Sequence, residues 1–194
     1  TDEFPEPFRL EFQPRPRWTY KYIRNKASKE ILDSIRQEGI EPFLDFYQQT
    51  NNLLNSFISK DLRFNELKDG IEITALRAQQ RAATLNYLIG MRQAKLNGLN
   101  KKKGNTAVAH FLTEAENIRQ QGLEIVKRRE ANYRYPVESI ARRHKSHTAY
   151  SFGYLYPASN LHFWKREELQ AEHNRWSPFY KNIYNLLRIV GVIN

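Results

Sequence analysis

The stretch from Asn105 to Tyr133 reads NTAVAHFLTEAENIRQQGLEIVKRREANY and gives the clearest indication of the fold. Its apolar residues recur at intervals of three and four, which places them on one face of an α-helix. This stripe consists of Val108, Phe111, Leu112, Ala115, Ile118, Gly122, Ile125 and Val126. Asn105 or Thr106 is a suitable N-cap, because either side chain accepts a hydrogen bond from a backbone N–H. We therefore predict a helix that ends near Tyr133 and buries one face.

The chain before this stretch predicts a series of helices. Residues 71–97 form a second long segment, in which Gly90 weakens the helix or permits close packing. The segment carries Leu76, Ala83, Leu88, Met91 and Ala94 among residues that favour a helix. Three shorter helices precede it: one from Ser28 to Gly39, one with Pro42 in its first turn, and one capped by Asp61 that ends near Gly70. Between residues 98 and 104 two glycines bracket three lysines, which predicts a loop.

Further helices are predicted after Tyr133. A brief one begins at Pro136, another is capped by Ser159 or Asn160, and the last is bounded by Ser177 and Gly191. Short connections between helices favour antiparallel neighbours. Strands do not alternate with helices, which argues against a nucleotide-binding α/β fold. We expect an all-α fold, an irregular antiparallel bundle or paired-helix array of about six helices, with residues 25–194 as one helical domain.

Residues 1–24 predict an extended arm or linker, because four prolines recur there among aromatic residues. The chain starts at Thr1 and its only methionine is Met91, so we expect a processed product or a piece of a longer protein. Secretion or a periplasmic location is slightly favoured on that basis. No apolar run approaches the roughly 20 residues that span a bilayer, so a soluble protein without a membrane span is expected.

The composition limits the possible chemistry. The absence of cysteine excludes disulfides, thiol catalysis and cysteine-rich zinc sites. The net charge is +10, and most of it lies between residues 92 and 145. The expected anion-binding residues are Lys101, Lys102, Lys103, Arg134, Arg142 and Arg143, and residues 127–129 form a further basic cluster. Such a field attracts polyanions, although a solvated helix face and a lysine-rich loop would have the same composition.

Aromatic side chains are concentrated in residues 133–184. We expect an irregular aromatic-rich loop near 145–158, where flat rings with polar tips suit a saccharide, a base or a protein partner. The expected stacking residues are Tyr135, Tyr150, Tyr154, Tyr156 and Trp164. The alternative is that these rings fill a core between helices. Arg134 lies between two tyrosines, and it either stacks or binds an anion, or it pairs with Glu130.

The same segment holds four histidines and several glutamates, but their spacing matches no metal site, so neither a metal nor another cofactor is expected. Glu167, Glu168 and Glu172 are helical neighbours, which do not face each other across a sugar ring as glycoside hydrolysis requires. Glu168 and Glu172 are expected to line a solvated face or to pair with Arg166 and Arg175.

These observations favour a non-catalytic helical binding domain, with an aromatic surface for a saccharide or a partner protein. The first alternative is a basic protein that binds RNA through its lysine and arginine clusters, with tyrosines stacking on unpaired bases. The second alternative is an enzyme that uses the His and Glu side chains of the C-terminal third.

Overall fold

A computed structural model of the protein describes residues 16–132 and 156–173, which are helical apart from short connections. In chain order the elements are α1 (Pro16–Lys26), α2 (Lys29–Ile35), a π-helical turn (Arg36–Ile40), α3 (Glu41–Ser56), α4 (Leu62–Leu96), α5 (Lys101–Asn132) and α6 (Tyr156–His173). No strand occurs among these residues, so the all-α prediction is confirmed for them. The helices predicted at 136–140 and 177–191 lie outside the described residues.

Helix α4 is the central element, and it packs against α1, α3, α5 and α6. Its 35 residues span about 52 Å at 1.5 Å per residue. Asp61 caps it as predicted, because its Oδ1 accepts a hydrogen bond from Arg63 N at 2.9 Å. The predicted break near Gly70 is wrong. One glycine costs a helix only about 1 kcal/mol, and burial of Asp69 and Ile73 on either side holds α4 continuous.

Helices α4 and α5 form an antiparallel hairpin. Gly98 makes the turn with a φ of +76°, a left-handed conformation that favours glycine. Asn100 then caps α5, because its Oδ1 accepts from Lys103 N at 2.9 Å. The predicted lysine loop is therefore wrong: Lys101, Lys102 and Lys103 form the first turn of α5.

The predicted apolar face of α5 is confirmed. The stripe from Val108 to Val126 is buried, with Phe111 and Leu112 partly buried. In α4 the apolar residues Leu76, Ala83, Leu88, Met91 and Ala94 are also buried. Gly90 permits close packing of the two helices, since a Cβ at that position would lie 2.6 Å from Val108 Cγ1.

The chain is helical from Lys29 to Ser56, so the predicted stop at Gly39 is wrong. Pro42 lies in the first turn of α3 as expected, and it has no N–H to donate to the carbonyl four residues earlier. The N–H of Glu41 instead donates to Arg36 O, five residues back, which is the spacing of a π-turn. The proline thus widens the helix without ending it.

The extended conformation predicted for residues 1–24 is wrong for residues 16–24, which form most of α1. Pro16 is the first residue of α1, a position where proline's missing N–H costs nothing. Tyr20 and Ile23 are then buried at one-turn spacing. Similarly, α6 begins at Tyr156, earlier than the predicted caps, so the end of the expected loop near 145–158 is helical. Residues 1–15 and 133–155 lie outside the described part.

The apolar core has two clusters. One joins α1, α2, the π-turn and α3 to α4 and the start of α5, and the other joins the earlier part of α4 to α5 and α6. Helix α6 contributes Leu161 and Trp164 to the second cluster and Ala171 to the first. Buried charged side chains of α4 and α6 lie in the same interior.

Candidate functional site

Glu167 of α6 is completely buried between two arginines of α4. Arg77 Nη2 lies 2.9 Å from its Oε1 and 2.7 Å from its Oε2, and Arg81 Nη1 lies 3.3 Å from Oε2. The two arginines are four residues apart and therefore share one face of α4. This ion-pair cluster fastens α6 to the centre of the fold.

Tyr20 connects α1 to the same cluster. Arg81 Nη1 donates a hydrogen bond to Tyr20 Oη at 2.6 Å, and the guanidinium also lies 5.9 Å from the centre of the tyrosine ring. Burial raises the pKa of Tyr20 well above its ordinary value, despite the opposing charge of Arg81. The phenol therefore remains a neutral acceptor for the arginine at any physiological pH.

Glu168 is the second buried carboxylate of α6. Its Oε1 accepts from Gln80 Nε2 at 3.0 Å, and its Oε2 pairs with Arg119 Nε at 3.0 Å. Burial raises the pKa of Glu168 and outweighs the opposing effect of the Arg119 charge. The prediction that Glu168 lines a solvated face is wrong, because its α-helical position turns it toward α4 and α5 and not outward.

The two buried carboxylates have a structural role. Glu167 is 0% exposed and Glu168 8%, and each binds an arginine of another helix. A general acid or base must reach the proton that it transfers, within hydrogen-bond distance of a substrate. In this arrangement the carboxylates reach arginines instead, and what they do is hold α4, α5 and α6 together.

Exposed positive charge is concentrated where α4 ends and α5 begins. Neither residues 16–29 nor residues 73–113 contain an Asp or Glu. Exposed ammonium groups from three helices lie at this end of the molecule, which we call the basic end. They belong to Lys26, Lys95, Lys101, Lys102 and Lys103. The half-buried Arg92 is also there, and its Nε donates to Ala27 O at 2.8 Å.

A cleft of about 340 Å³ opens in the basic end. Its lining combines cationic, amide and apolar groups from α1, α4, the α4–α5 turn and α5. These residues are Arg24, Asn25, Met91, Ala94, Lys95, Leu99, Asn100, Lys101 and Gly104. Arg24 is 5% exposed, and its Nη1 donates to Ala171 O at 2.9 Å and to Glu172 O at 3.1 Å. It therefore caps the last turn of α6 while lining the cleft.

The structure separates the expected stacking residues. Trp164 is 2% exposed, with the Arg77 guanidinium 5.4 Å from its ring centre, and a Cβ at Gly122 would lie 3.5 Å from its Cζ3. The ring thus fills the core, as in the alternative interpretation of this segment, and offers no face to a ligand. Tyr156 is the first residue of α6. Tyr135, Tyr150 and Tyr154 lie outside the described residues.

The expected anion-binding residues divide in the same way. Lys101, Lys102 and Lys103 are exposed on consecutive positions of α5, and Lys101 lines the cleft. Arg134, Arg142 and Arg143 lie outside the described residues. Of the 127–129 cluster, Lys127 Nζ pairs with Glu124 at 2.7 Å, and Arg128 pairs with Asp69 and Glu72 of α4. These two cations are already neutralised by the protein itself.

Sequence reasoning missed Arg24, Lys95 and Asn100. The available signal was the absence of acidic residues from two long segments, 16–29 and 73–113. The net charge of residues 92–145 alone does not show this absence, because that range begins within the second segment and ends beyond it. Sequence reasoning also missed the buried arginines of α4. The signal there was Arg77 and Arg81 at helical spacing inside an otherwise small and apolar segment, which requires buried carboxylate partners from elsewhere.

Comparisons with known proteins identify no relative. No protein-family model matches the chain, and no curated protein or solved structure is significantly similar to it. Among the helices described above, none has the length and apolar character needed to cross a membrane. Within residues 16–132 and 156–173, no three His, Asp or Glu side chains are grouped as metal ligands would be.

Proposed function

We propose that the protein is a non-catalytic helical binding domain whose basic end binds a single-stranded nucleic acid, RNA being the natural probe. The observation that carries this proposal is the convergence of five exposed lysines from three helices around a cleft whose lining contains no Asp or Glu. Lysines on an ordinary solvated surface alternate with carboxylates, as Lys127 does with Glu124 on the same helix α5. An unbalanced field of this kind attracts phosphates.

The position of the three consecutive lysines strengthens the proposal. Cations are disfavoured in the first turn of a helix, because the helix dipole is positive at that end, and each unfavourable charge costs about 0.3–1 kcal/mol. The first turn of α5 nevertheless contains three lysines and no acidic residue. Departures from local preference of this kind are typical of functional sites. Phosphate groups would relieve the repulsion and bind the same positive helix end.

The cleft favours a nucleic acid over other polyanions. Apolar groups from Met91, Ala94 and Leu99 lie beside the ammonium groups of Lys95 and Lys101. A nucleic acid presents phosphates and flat, largely apolar bases side by side, whereas a sulfated polysaccharide has no comparable apolar ring face. Bases are accessible to a recess only when they are unstacked, which favours a single strand over a duplex.

The test measures the affinity of the full chain for a fluorescently labelled RNA oligonucleotide at several salt concentrations. A single strand releases about 0.7 counterions per phosphate neutralised, so four phosphate contacts give a log–log slope of about −3. We expect the triple variant Lys101→Gln, Lys102→Gln, Lys103→Gln to weaken binding at low salt and to reduce the slope by about 2.

A matched control has the same net charge but changes the opposite end of the molecule. The variant Lys60→Gln, Lys68→Gln, Lys127→Gln also removes three lysines, and it should retain both affinity and slope. Equal losses in the two triple variants would refute a localised site, and so would binding that does not change with salt. Preferential binding to anionic lipid vesicles over RNA would replace the nucleic acid by a membrane surface.

The saccharide or partner-protein surface expected on the aromatic segment remains a prediction. Three of its tyrosines, Tyr135, Tyr150 and Tyr154, lie outside the described residues, and Trp164 is buried in the core. The same tyrosines could stack on the bases of a bound RNA. The saccharide and RNA interpretations make opposite predictions for the effect of salt on affinity. Saccharide binding should survive 1 M salt, whereas binding through phosphates should be lost.

A further inference from the structure

We infer that the cleft at the basic end is a nucleotide subsite, which takes one nucleotide with its phosphate monoester. This inference deepens the proposed function and rests on it for the class of ligand. It concerns a defined recess, with walls from four segments of the chain, whereas the proposed function concerns the charged surface around that recess. The two are therefore separable by experiment.

The charges in the lining suit a dianionic group. Lys95 comes from the last turn of α4 and Lys101 from the first turn of α5, so the lining has one lysine on each side of the α4–α5 turn. The lining contains no carboxylate that would compete with a ligand. A phosphate monoester carries close to two negative charges near pH 7, one more than the diester within a strand.

Arg24 adds a third cation that is fixed in place. It is 5% exposed and held by the two carbonyls of α6, so it loses little side-chain freedom when a ligand arrives. Burial lowers the pKa of its guanidinium, because a charge kept out of water is disfavoured. An anion in the adjoining cleft would offset that cost, which gives the buried arginine a role in attraction as well as in capping α6.

The remaining lining suits the sugar and base. Met91, Ala94 and Leu99 provide an apolar wall, and the amides of Asn25 and Asn100 provide hydrogen-bonding groups at its edge. Gly104 keeps this space open and the helices close, since a Cβ there would lie 3.1 Å from Ala94 Cβ. A volume of about 340 Å³ is at the lower end for ligand pockets and suits one nucleotide.

The test uses the full chain and measures binding of adenosine 5′-monophosphate, adenosine and inorganic phosphate by calorimetry. The monophosphate should bind more tightly than either fragment, by about tenfold or more, because only it uses both the lysines and the apolar wall. Lys101→Gln should weaken its binding about tenfold. Lys60→Gln is the matched control, because Lys60 is an exposed lysine just before α4, at the other end of that helix, and does not line the cleft.

A second variant tests the recess itself. Leu99 is 42% exposed, so Leu99→Trp adds bulk to the cleft without disturbing the core. It should abolish binding of the monophosphate while leaving the melting temperature unchanged. Retained binding in Leu99→Trp, or equal effects of Lys101→Gln and Lys60→Gln, would overturn the inference, because either result places the nucleotide outside the cleft.

The source of the phosphate is distinguished with two oligonucleotides of one sequence, with and without a 5′-phosphate. Tighter binding of the phosphorylated strand assigns the cleft to a strand end, and equal binding assigns it to a free nucleotide. If RNA binds but the monophosphate does not, this inference fails and the proposed function stands. If the monophosphate binds through Lys101 but RNA does not, the proposed function fails and the subsite stands.

Discussion

Replacing Glu167 by glutamine removes the negative charge on which two buried arginines depend. Glu167 is 0% exposed, and the side chains of Arg77 and Arg81 are 6% and 2% exposed. The amide of glutamine has nearly the same shape as the carboxylate, so the substitution leaves no cavity. It changes the charge alone, and its effect on stability therefore measures the electrostatic balance of the cluster.

The expected loss is large because the arginines cannot reach water. Breaking a buried pair by removing one partner costs about 3–5 kcal/mol, since the remaining charge stays desolvated without compensation. Here one carboxylate serves two guanidinium groups, so we expect a value in that range although Gln still accepts a hydrogen bond. A domain of this size has a free energy of unfolding of about 5–15 kcal/mol. The melting temperature should fall by about 6–20 °C.

The assay is urea unfolding of the full chain, followed by circular dichroism, with Glu124→Gln as control. Glu124 is also a glutamate paired with a cation, but its side chain is 68% exposed. Exposed pairs contribute about 0.2–1 kcal/mol, so the control should change stability by less than about 1 kcal/mol. Equal losses for Glu167→Gln and Glu124→Gln would refute the view that the buried cluster fastens α6 to α4.

Three further predictions concern other parts of the fold. Lys102→Gln should raise the free energy of unfolding by about 0.3–1 kcal/mol in low salt, because it removes a cation from the positive end of α5, and 1 M salt should abolish the gain. Stability should fall as the pH rises above the ordinary glutamate value of 4.5, because burial raises the folded-state pKa of Glu168 and the folded protein holds that proton longer. Glu168→Gln should reduce this fall in urea titrations, and an unchanged pH profile would contradict it. Gly90→Ala should destabilise the protein by about 1–2 kcal/mol, since its Cβ would lie 2.6 Å from Val108, but in a Val108→Ala background it should stabilise it through helix propensity.

The helices were largely predictable because their signals are local. The stripe from Val108 to Val126 follows the period of one helix, so its burial could be predicted without knowing the partner. Caps at Ser28 and Asp61 were predictable for the same reason, since each depends on neighbouring residues alone. Two of the wrong predictions fell at Gly39 and Gly70, where a local break signal is overridden by packing of the flanking turns.

The candidate site was predictable only in part. The three lysines of residues 101–103 were identified as anion-binding residues, but as a loop, because Asn100 caps α5 earlier than Asn105 or Thr106 would. Arg24 joins the cleft across about 70 positions of sequence from Lys95 and Lys101. No local pattern links such distant residues, and only the packing of α1 against α4 brings them together.

The helical class, the buried face of α5 and the excess of positive charge follow from the sequence, because periodicity and composition depend on neighbouring residues alone. Only the tertiary structure shows which charged side chains form ion pairs in the core and which are exposed to solvent. Glu167 and Glu168 are taken up by arginines of α4 and α5, because burial in a medium of low polarity forces each charge to find a partner. The lysines at the α4–α5 turn have no acidic residue within reach along the chain, and their convergence with α1 creates the basic end.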